Sequence, residues 1–282
     1  MSAQDDLLEQ LVEAVLASSR YREVSGELIR DIGSRELARR TSLKEAVKAA
    51  KNKLHQVGGA YFTGTMHYGL WLSDLERLVQ PGGRVDLLAY LKKIMSHHAS
   101  TKERLPILGQ FYSTILADLP PIHSVLDIAC GLHPLALPWM PLVEPVEYYA
   151  YDMYQDMIRF LNGFLSLMQV QGQARVCNVV RACPTDKVDV AFVLKTLPCL
   201  EQVDRAASFR LLQAIRATYV VVSFPVYSLG GKAKGMEASY EARFRSLIEH
   251  HSTWSIKRFE FLTELAFLVT KCQDAPANGD QG

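Results

Sequence analysis

Two aspartates, Asp127 and Asp152, are 25 positions apart, and each closes a short apolar run. The first opens Asp127-Ile-Ala-Cys-Gly131-Leu-His-Pro-Leu-Ala136. Gly131 would let a backbone approach a ligand closely, and Ala129 and Cys130 are small enough not to obstruct it. The second ends Val146-Glu-Tyr-Tyr-Ala-Tyr-Asp152. A carboxylate at the end of a second strand can accept hydrogen bonds from both ribose hydroxyls, as it does in dinucleotide sites. The chemistry suggested is the holding of a nucleoside-type cofactor, although neither aspartate is diagnostic alone. The nicotinamide fingerprint GxGxxG is absent, which disfavours a dehydrogenase. His97-His98 and His250-His251 are pairs without a metal-type third ligand. The five cysteines are irregularly spaced with no CxxC, so neither a zinc site nor a disulfide framework is expected.

Those residues need elements to hold them. Beyond residue 120 the pattern alternates strand and helix. Strand-like runs cover 124–129, 146–152, 174–180, 188–195 and 219–224, with helix-like segments at 154–168 and 204–216. Such alternation implies parallel βαβ units in a doubly wound α/β sheet, whose ligands bind beyond the carboxyl ends of the strands. Two last apolar runs, 254–261 and 264–270, are close enough for a terminal antiparallel hairpin. Before residue 105 the patterns are helical. Leu7, Leu8, Leu11, Val12, Val15 and Leu16 follow a helical rhythm, as do 68–79 and 84–97. Ser42-Leu-Lys-Glu45 reads as a capping box. The helix it opens has Leu43, Ala46, Val47, Ala50 and Leu54 on one side and Lys44, Lys48, Lys51 and Lys53 on the other. The expected division is a helical domain over 1–105, an α/β domain over 106–273 and a disordered polar tail over 274–282.

The whole chain of 282 residues carries a formal charge of +1. That balance conceals a split, because residues 1–110 carry +3 and the remainder −2, with +5 concentrated in residues 30–53. A basic helical appendage beside a mildly acidic α/β domain fits docking on nucleic-acid phosphates, although such runs are commonly only solvated helix faces. A hydrophobic fraction of 49% and a charged fraction of 22% exclude a disordered or coiled-coil chain. No run reaches the length of a membrane span, and no signal core opens the chain, so a cytoplasmic protein is expected.

Longer strings are more specific: His98-Ala-Ser-Thr-Lys-Glu-Arg-Leu105, the 127–136 loop, Leu194-Lys-Thr-Leu-Pro-Cys-Leu-Glu201, and Ser223-Phe-Pro-Val-Tyr-Ser-Leu-Gly-Gly-Lys-Ala-Lys-Gly-Met-Glu-Ala-Ser-Tyr240. Together with Lys53-Leu-His-Gln-Val-Gly-Gly-Ala-Tyr61 they closely resemble the aminoglycoside-resistance 16S rRNA (guanine-1405-N7) methyltransferases, over roughly residues 15–271. The resemblance implies a Rossmann-like S-adenosylmethionine-dependent methyltransferase sheet with an N-terminal helical domain. It implies methyl transfer to guanine N7 of 16S rRNA in the assembled 30S subunit, by a monomer. It also implies roles. Arg104 would pair with the methionine carboxylate of S-adenosylmethionine. Asp127, Ala129 and Gly131 would line the methionine portion, Asp152 the ribose, and Asn178 the adenine. Leu194 and Lys195 would lie between cofactor and substrate, with Lys195 positioning rather than acting as a base. Lys232, Lys234, Glu237 and Tyr240 would contact rRNA and the target base, and Lys44, Lys48, Lys51 and Lys53 would dock it.

Guanine N7 is unprotonated and faces the major groove, so its methylation needs no general base. The absence of a catalytic triad therefore agrees with this activity. Three departures stand out: His133 where the family usually has Asn, Asn178 where it has an acid, and Phe261-Leu-Thr-Glu264-Leu without the family's turn glycine. Asn178 and the altered hairpin motivate one alternative, a non-catalytic RNA-binding relative; a Rossmann-like methyltransferase of another RNA or small molecule is the other.

Overall fold

The computed structural model describes residues 3–79, 84–226, 236–249 and 251–271. Seven helices come first: α1 (Ala3–Leu16), α2 (Gly26–Leu37), α3 (Leu43–Val57), α4 (Tyr68–Leu78), α5 (Arg84–Met95), α6 (Ala99–Arg104) and α7 (Leu108–Ile115). Strands and helices then alternate through β1 (Ser124–Ile128), β2 (Glu147–Asp152), α8 (Gln155–Leu167), β3 (Gln171–Val176), β4 (Lys187–Leu194), α9 (Leu197–Val203), α10 (Ala207–Ala214) and β5 (Arg216–Pro225). Helix α11 (Met236–Ile248) and strands β6 (Trp254–Glu260) and β7 (Glu264–Lys271) close the fold. The 274–282 tail lies outside the described residues.

The seven strands are ordered β3-β2-β1-β4-β5-β7-β6. Strands β1 to β5 are parallel, while β7 runs antiparallel to both β5 and β6. The expected hairpin is thus present, but its second strand is the one that joins the sheet. Strand order reverses between β1 and β4, and a crevice opens at that point beyond the strand ends. Central strands β1 and β4 are covered on both faces, so Val125, Leu126, Ile128, Val190, Ala191 and Val193 are fully buried.

Strand β3 corrects the sequence reading of 174–180. It spans Gln171–Val176 at the sheet edge, and Ala174 is its one buried residue. An edge strand that buries a single small residue carries no apolar run for a periodicity argument to find. The apolar residues at 177–180 leave the strand and turn into the crevice wall.

The helical patterns read from the sequence correspond to α1, α3, α4, α5, α8 and α10. Helix α3 buries Ala46, Ala50 and Leu54 against α1, α2 and α9, and small alanines permit that close approach. Its cap is half of a capping box. Ser42 Oγ accepts from the Glu45 N–H at 3.3 Å, but the Glu45 carboxylate accepts from the Thr41 hydroxyl. Two bridges tie this helical segment to the crevice rim. Val24 pairs with Tyr154 just after β2, and Phe62 pairs with His98 just before α6. Gly58, which ends α3, packs so tightly that a Cβ there would meet Met153 at 1.8 Å.

Candidate active site

At the reversal point lies a cleft of about 910 Å³, open to solvent, floored by the ends of β1, β2 and β4. It is lined by Arg104, Asp127, Ala129, Asp152, Asn178, Leu194 and Lys195. Residues from five separate chain segments therefore meet in one place. Gly131, the remaining candidate, sits in the same rim, where its N–H donates to Asp152 Oδ2 at 2.9 Å.

The two aspartates are held differently. Asp127 Oδ2 accepts from the Tyr148 hydroxyl at 2.9 Å and contacts His133 Nδ1 at 2.8 Å. His133 thus fills its place as an aromatic clamp on Asp127, sandwiched by Tyr112. Asp152 accepts backbone N–H bonds from Gly131 and, at 2.7 Å, from Met153. Burial pushes its carboxyl up to about 6, and the backbone donors only partly oppose this. Each oxygen keeps a lone pair for a further donor such as a ribose hydroxyl.

Two non-glycine residues in the cleft hold left-handed backbones, Ala129 at φ 52° and Lys195 at φ 57°. Such conformations are uncommon and concentrate at functional sites. Gly131 also has positive φ, at 53°, and a Cβ there would lie 2.7 Å from the His98 ring. The missing side chain at Gly131 therefore makes room for the His98 ring.

A buried charge network forms the wall from which Arg104 reaches. Arg104 and Glu264 are both 0% exposed. Arg104 Nη2 and Nε donate to the two Glu264 oxygens at 2.5 and 3.1 Å. Lys195 Nζ lies 2.6 Å from Glu103 and 3.4 Å from Glu264. The cost of burying Lys195 is therefore met by two carboxylates rather than by solvent. Burial would raise the Glu264 carboxyl, but Arg104 and Lys195 outweigh it and hold its pKa below the ordinary value. Arg104 Nη1 is buried in this wall without a hydrogen-bond partner. A carboxylate from the cleft side is the group such a donor lacks, so the residues present fit the amino-acid end of S-adenosylmethionine.

Other lining residues escaped the sequence reading. Tyr61 donates to or accepts from Cys199 Sγ at 2.9 Å and stacks on His98. Burial, with Lys195 and Arg104 nearby, pushes the His98 imidazole down to about 3, so it stays neutral. Glu264 was visible only as a hairpin departure, and Glu103 only as a letter in a familiar string.

Four of the candidate RNA residues share helix α3. Lys44 and Lys48 are exposed on α3, and Lys51 and Lys53 are half-buried. Arg30, Arg35 and Arg40, which add to the basic count of 30–53, are paired with Glu9, Asp204 and Glu36. The lysines of α3, with Arg39, are in none of these ion pairs and make up the rest of that cluster. Tyr240 stacks on Phe224 at 5.1 Å, near the end of β5. Lys232 and Lys234 lie outside the described residues, as does the side chain of Glu237. Among the described residues no group of His, Cys, Asp or Glu could hold a metal ion, and no helix is long and apolar enough to cross a membrane.

The sheet order and the cleft at its reversal point define a Rossmann-like methyltransferase of the S-adenosylmethionine-dependent class. The family described as ribosomal RNA methyltransferase (FmrO) matches residues 17–268. A protein of Micromonospora echinospora named 16S rRNA (guanine(1405)-N(7))-methyltransferase is 34% identical over 272 residues, 96% of this chain and 99% of that one. A protein of the same name from Frankia casuarinae is 36% identical over 274 residues, 96% of each chain. The solved structure of the 16S rRNA methyltransferase RmtF, in complex with S-adenosyl-L-homocysteine, superposes with a TM-score of 0.79 at 30% identity. It covers 96% of this chain and 100% of its own. The chain belongs to the FmrO ribosomal RNA methyltransferase family.

Proposed function

We propose that this enzyme transfers a methyl group from S-adenosylmethionine to N7 of guanine 1405 in 16S rRNA, giving resistance to aminoglycosides that bind there. The reading rests on the convergence of Arg104, Asp127, Asp152, Asn178 and Lys195 on one cleft, in a chain whose full-length relatives carry that activity's name. S-adenosylmethionine supplies a sulfonium methyl; the C–S bond breaks as the N7–C bond forms, and the positive charge passes from sulfur to the base.

The protein's part is binding and alignment. Arg104 grips the cofactor carboxylate through its free Nη1, and Asp127 faces the neighbouring ammonium. Asp152 takes the ribose hydroxyls, and Asn178 the adenine edge. Lys195, fixed by Glu103 and Glu264, positions the floor between cofactor and base. No residue must remove a proton, because N7 carries none. The helical segment up to residue 105 serves as the docking part, with Lys44, Lys48, Lys51 and Lys53 against rRNA phosphates and Lys232, Lys234, Glu237 and Tyr240 near the target base. The substrate is the assembled 30S subunit, engaged by a monomer in the cytoplasm.

Labelled S-adenosylmethionine and 30S subunits lacking the mark provide the test. The expected result is label in 16S rRNA and a reverse-transcription stop at guanine 1405 after reduction and aniline cleavage. Label in tRNA or metabolites but not in 30S subunits would overturn the substrate assignment. A bacterium expressing the chain should resist gentamicin but not apramycin.

A further inference from the structure

Asn178 stands where an acidic residue would be the simpler adenine acceptor, and the fold places a carboxylate directly behind it. The Asn178 side chain is 3% exposed and lines the cleft just after β3. Its Nδ2 donates to Asp31 Oδ2 at 2.5 Å, across 147 residues of sequence. Its Oδ1 accepts from the Val180 N–H at 3.3 Å. Asp31 comes from α2, and Arg181 Nη1 lies 3.6 Å from its other oxygen.

We propose that Asp31 is a positioning residue, fixing the Asn178 carboxamide so that the cleft selects a purine bearing a 6-amino group. A carboxamide presents a donor on one side and an acceptor on the other, and rotation by half a turn exchanges them. Here rotation would press Oδ1 against an acceptor-only carboxylate and Nδ2 against a backbone N–H. Both neighbours therefore enforce one orientation, with Oδ1 retaining a lone pair for an incoming donor. Adenine offers its 6-amino group as that donor, whereas hypoxanthine offers a 6-oxo acceptor and is refused. The same geometry explains the amide at 178. A carboxylate there would abut Asp31, and two like charges at such a distance disfavour each other. The negative charge has moved one residue further from the ligand, onto the helical segment. This inference rests on the cleft holding the cofactor's adenine.

Calorimetric binding of S-adenosylhomocysteine and S-inosylhomocysteine to the full chain tests it without turnover. The wild type should prefer the adenosyl compound by about tenfold or more, and Asp31→Ala should reduce that preference to within about twofold. Asp31→Asn, whose amide still has an acceptor oxygen, should retain most of it. An unchanged preference in Asp31→Ala, whatever its absolute affinity, overturns the proposal. Equal wild-type binding of both compounds also overturns it. Binding of neither instead refutes the cofactor reading on which it rests. If Asp31→Ala does not fold, an exchange decides. Asn178→Asp alone should weaken S-adenosylhomocysteine binding, and adding Asp31→Asn should restore it to within about threefold. Failure of that rescue overturns the proposal.

Discussion

Replacing Glu264 by glutamine tests the charge network that presents Arg104 to the cleft. The pair is bidentate and both side chains are 0% exposed. Removing one member of a buried pair leaves the other charge uncompensated, at about 3–5 kcal/mol. For a chain of this size that corresponds to a fall in Tm of roughly 10 °C. Differential scanning fluorimetry and urea unfolding of Glu264→Gln measure it. Because Arg104 Nη1 already lacks a partner, a ligand carboxylate should replace part of the missing counter-charge. S-adenosylhomocysteine should therefore raise the Tm of Glu264→Gln by more than it raises that of the wild type. 5′-Methylthioadenosine, which keeps the nucleoside and lacks the carboxylate, should show no such excess. The folded-state pKa of Glu264 lies below its ordinary value. Its contribution is therefore complete above the ordinary carboxyl range and disappears as pH falls through the lowered value. The gap between wild type and variant should close under acid accordingly. A Glu264→Gln protein within about 1 kcal/mol of the wild type at neutral pH, or equal excess stabilisation by both ligands, would refute the reasoning.

Other consequences are as direct. Asp152 titrates near 6 and accepts two ribose hydroxyls best when ionised, so S-adenosylhomocysteine affinity should fall several-fold from pH 7 to pH 5; a flat calorimetric profile there would remove Asp152 from the ribose site. Gly131→Ala adds a Cβ at positive φ against the His98 ring, and should lower unfolding stability by about 1–3 kcal/mol. Coupling it with His98→Ala should recover the steric share alone, and a recovery of nothing would place the obstruction elsewhere. Lys44→Glu with Lys48→Glu should weaken 30S binding and flatten its salt dependence while S-adenosylhomocysteine binding is unchanged; undiminished 30S affinity would move the docking surface off α3.

What the sequence made legible follows from how far apart the cooperating residues lie. Asp127 and Asp152 end neighbouring buried strands, so apolar runs mark them and the parallel sheet places them together. The lysines of α3 were legible for the same local reason, since a helical period separates them from Ala46, Ala50 and Leu54. Strand β3 was misplaced because it buries only Ala174, and the apolar segment beside it belongs to the cleft wall. Asp31 had no local signal at all, and Glu264 showed only as part of a hairpin departure. Glu264 reaches Arg104 across 160 residues and Asp31 reaches Asn178 across 147. In a sequence each is one acidic residue at a hairpin or on a helix, indistinguishable from a solvated charge. Their meaning arises only where β7 enters the sheet beside β5 and α2 closes against the end of β3. The departures at 178 and in the last hairpin, which suggested a weakened relative, therefore have a structural counterpart. A carboxylate from α2 stands behind the neutral amide, and the hairpin without its glycine still delivers a fully buried acid to the arginine that faces the cofactor.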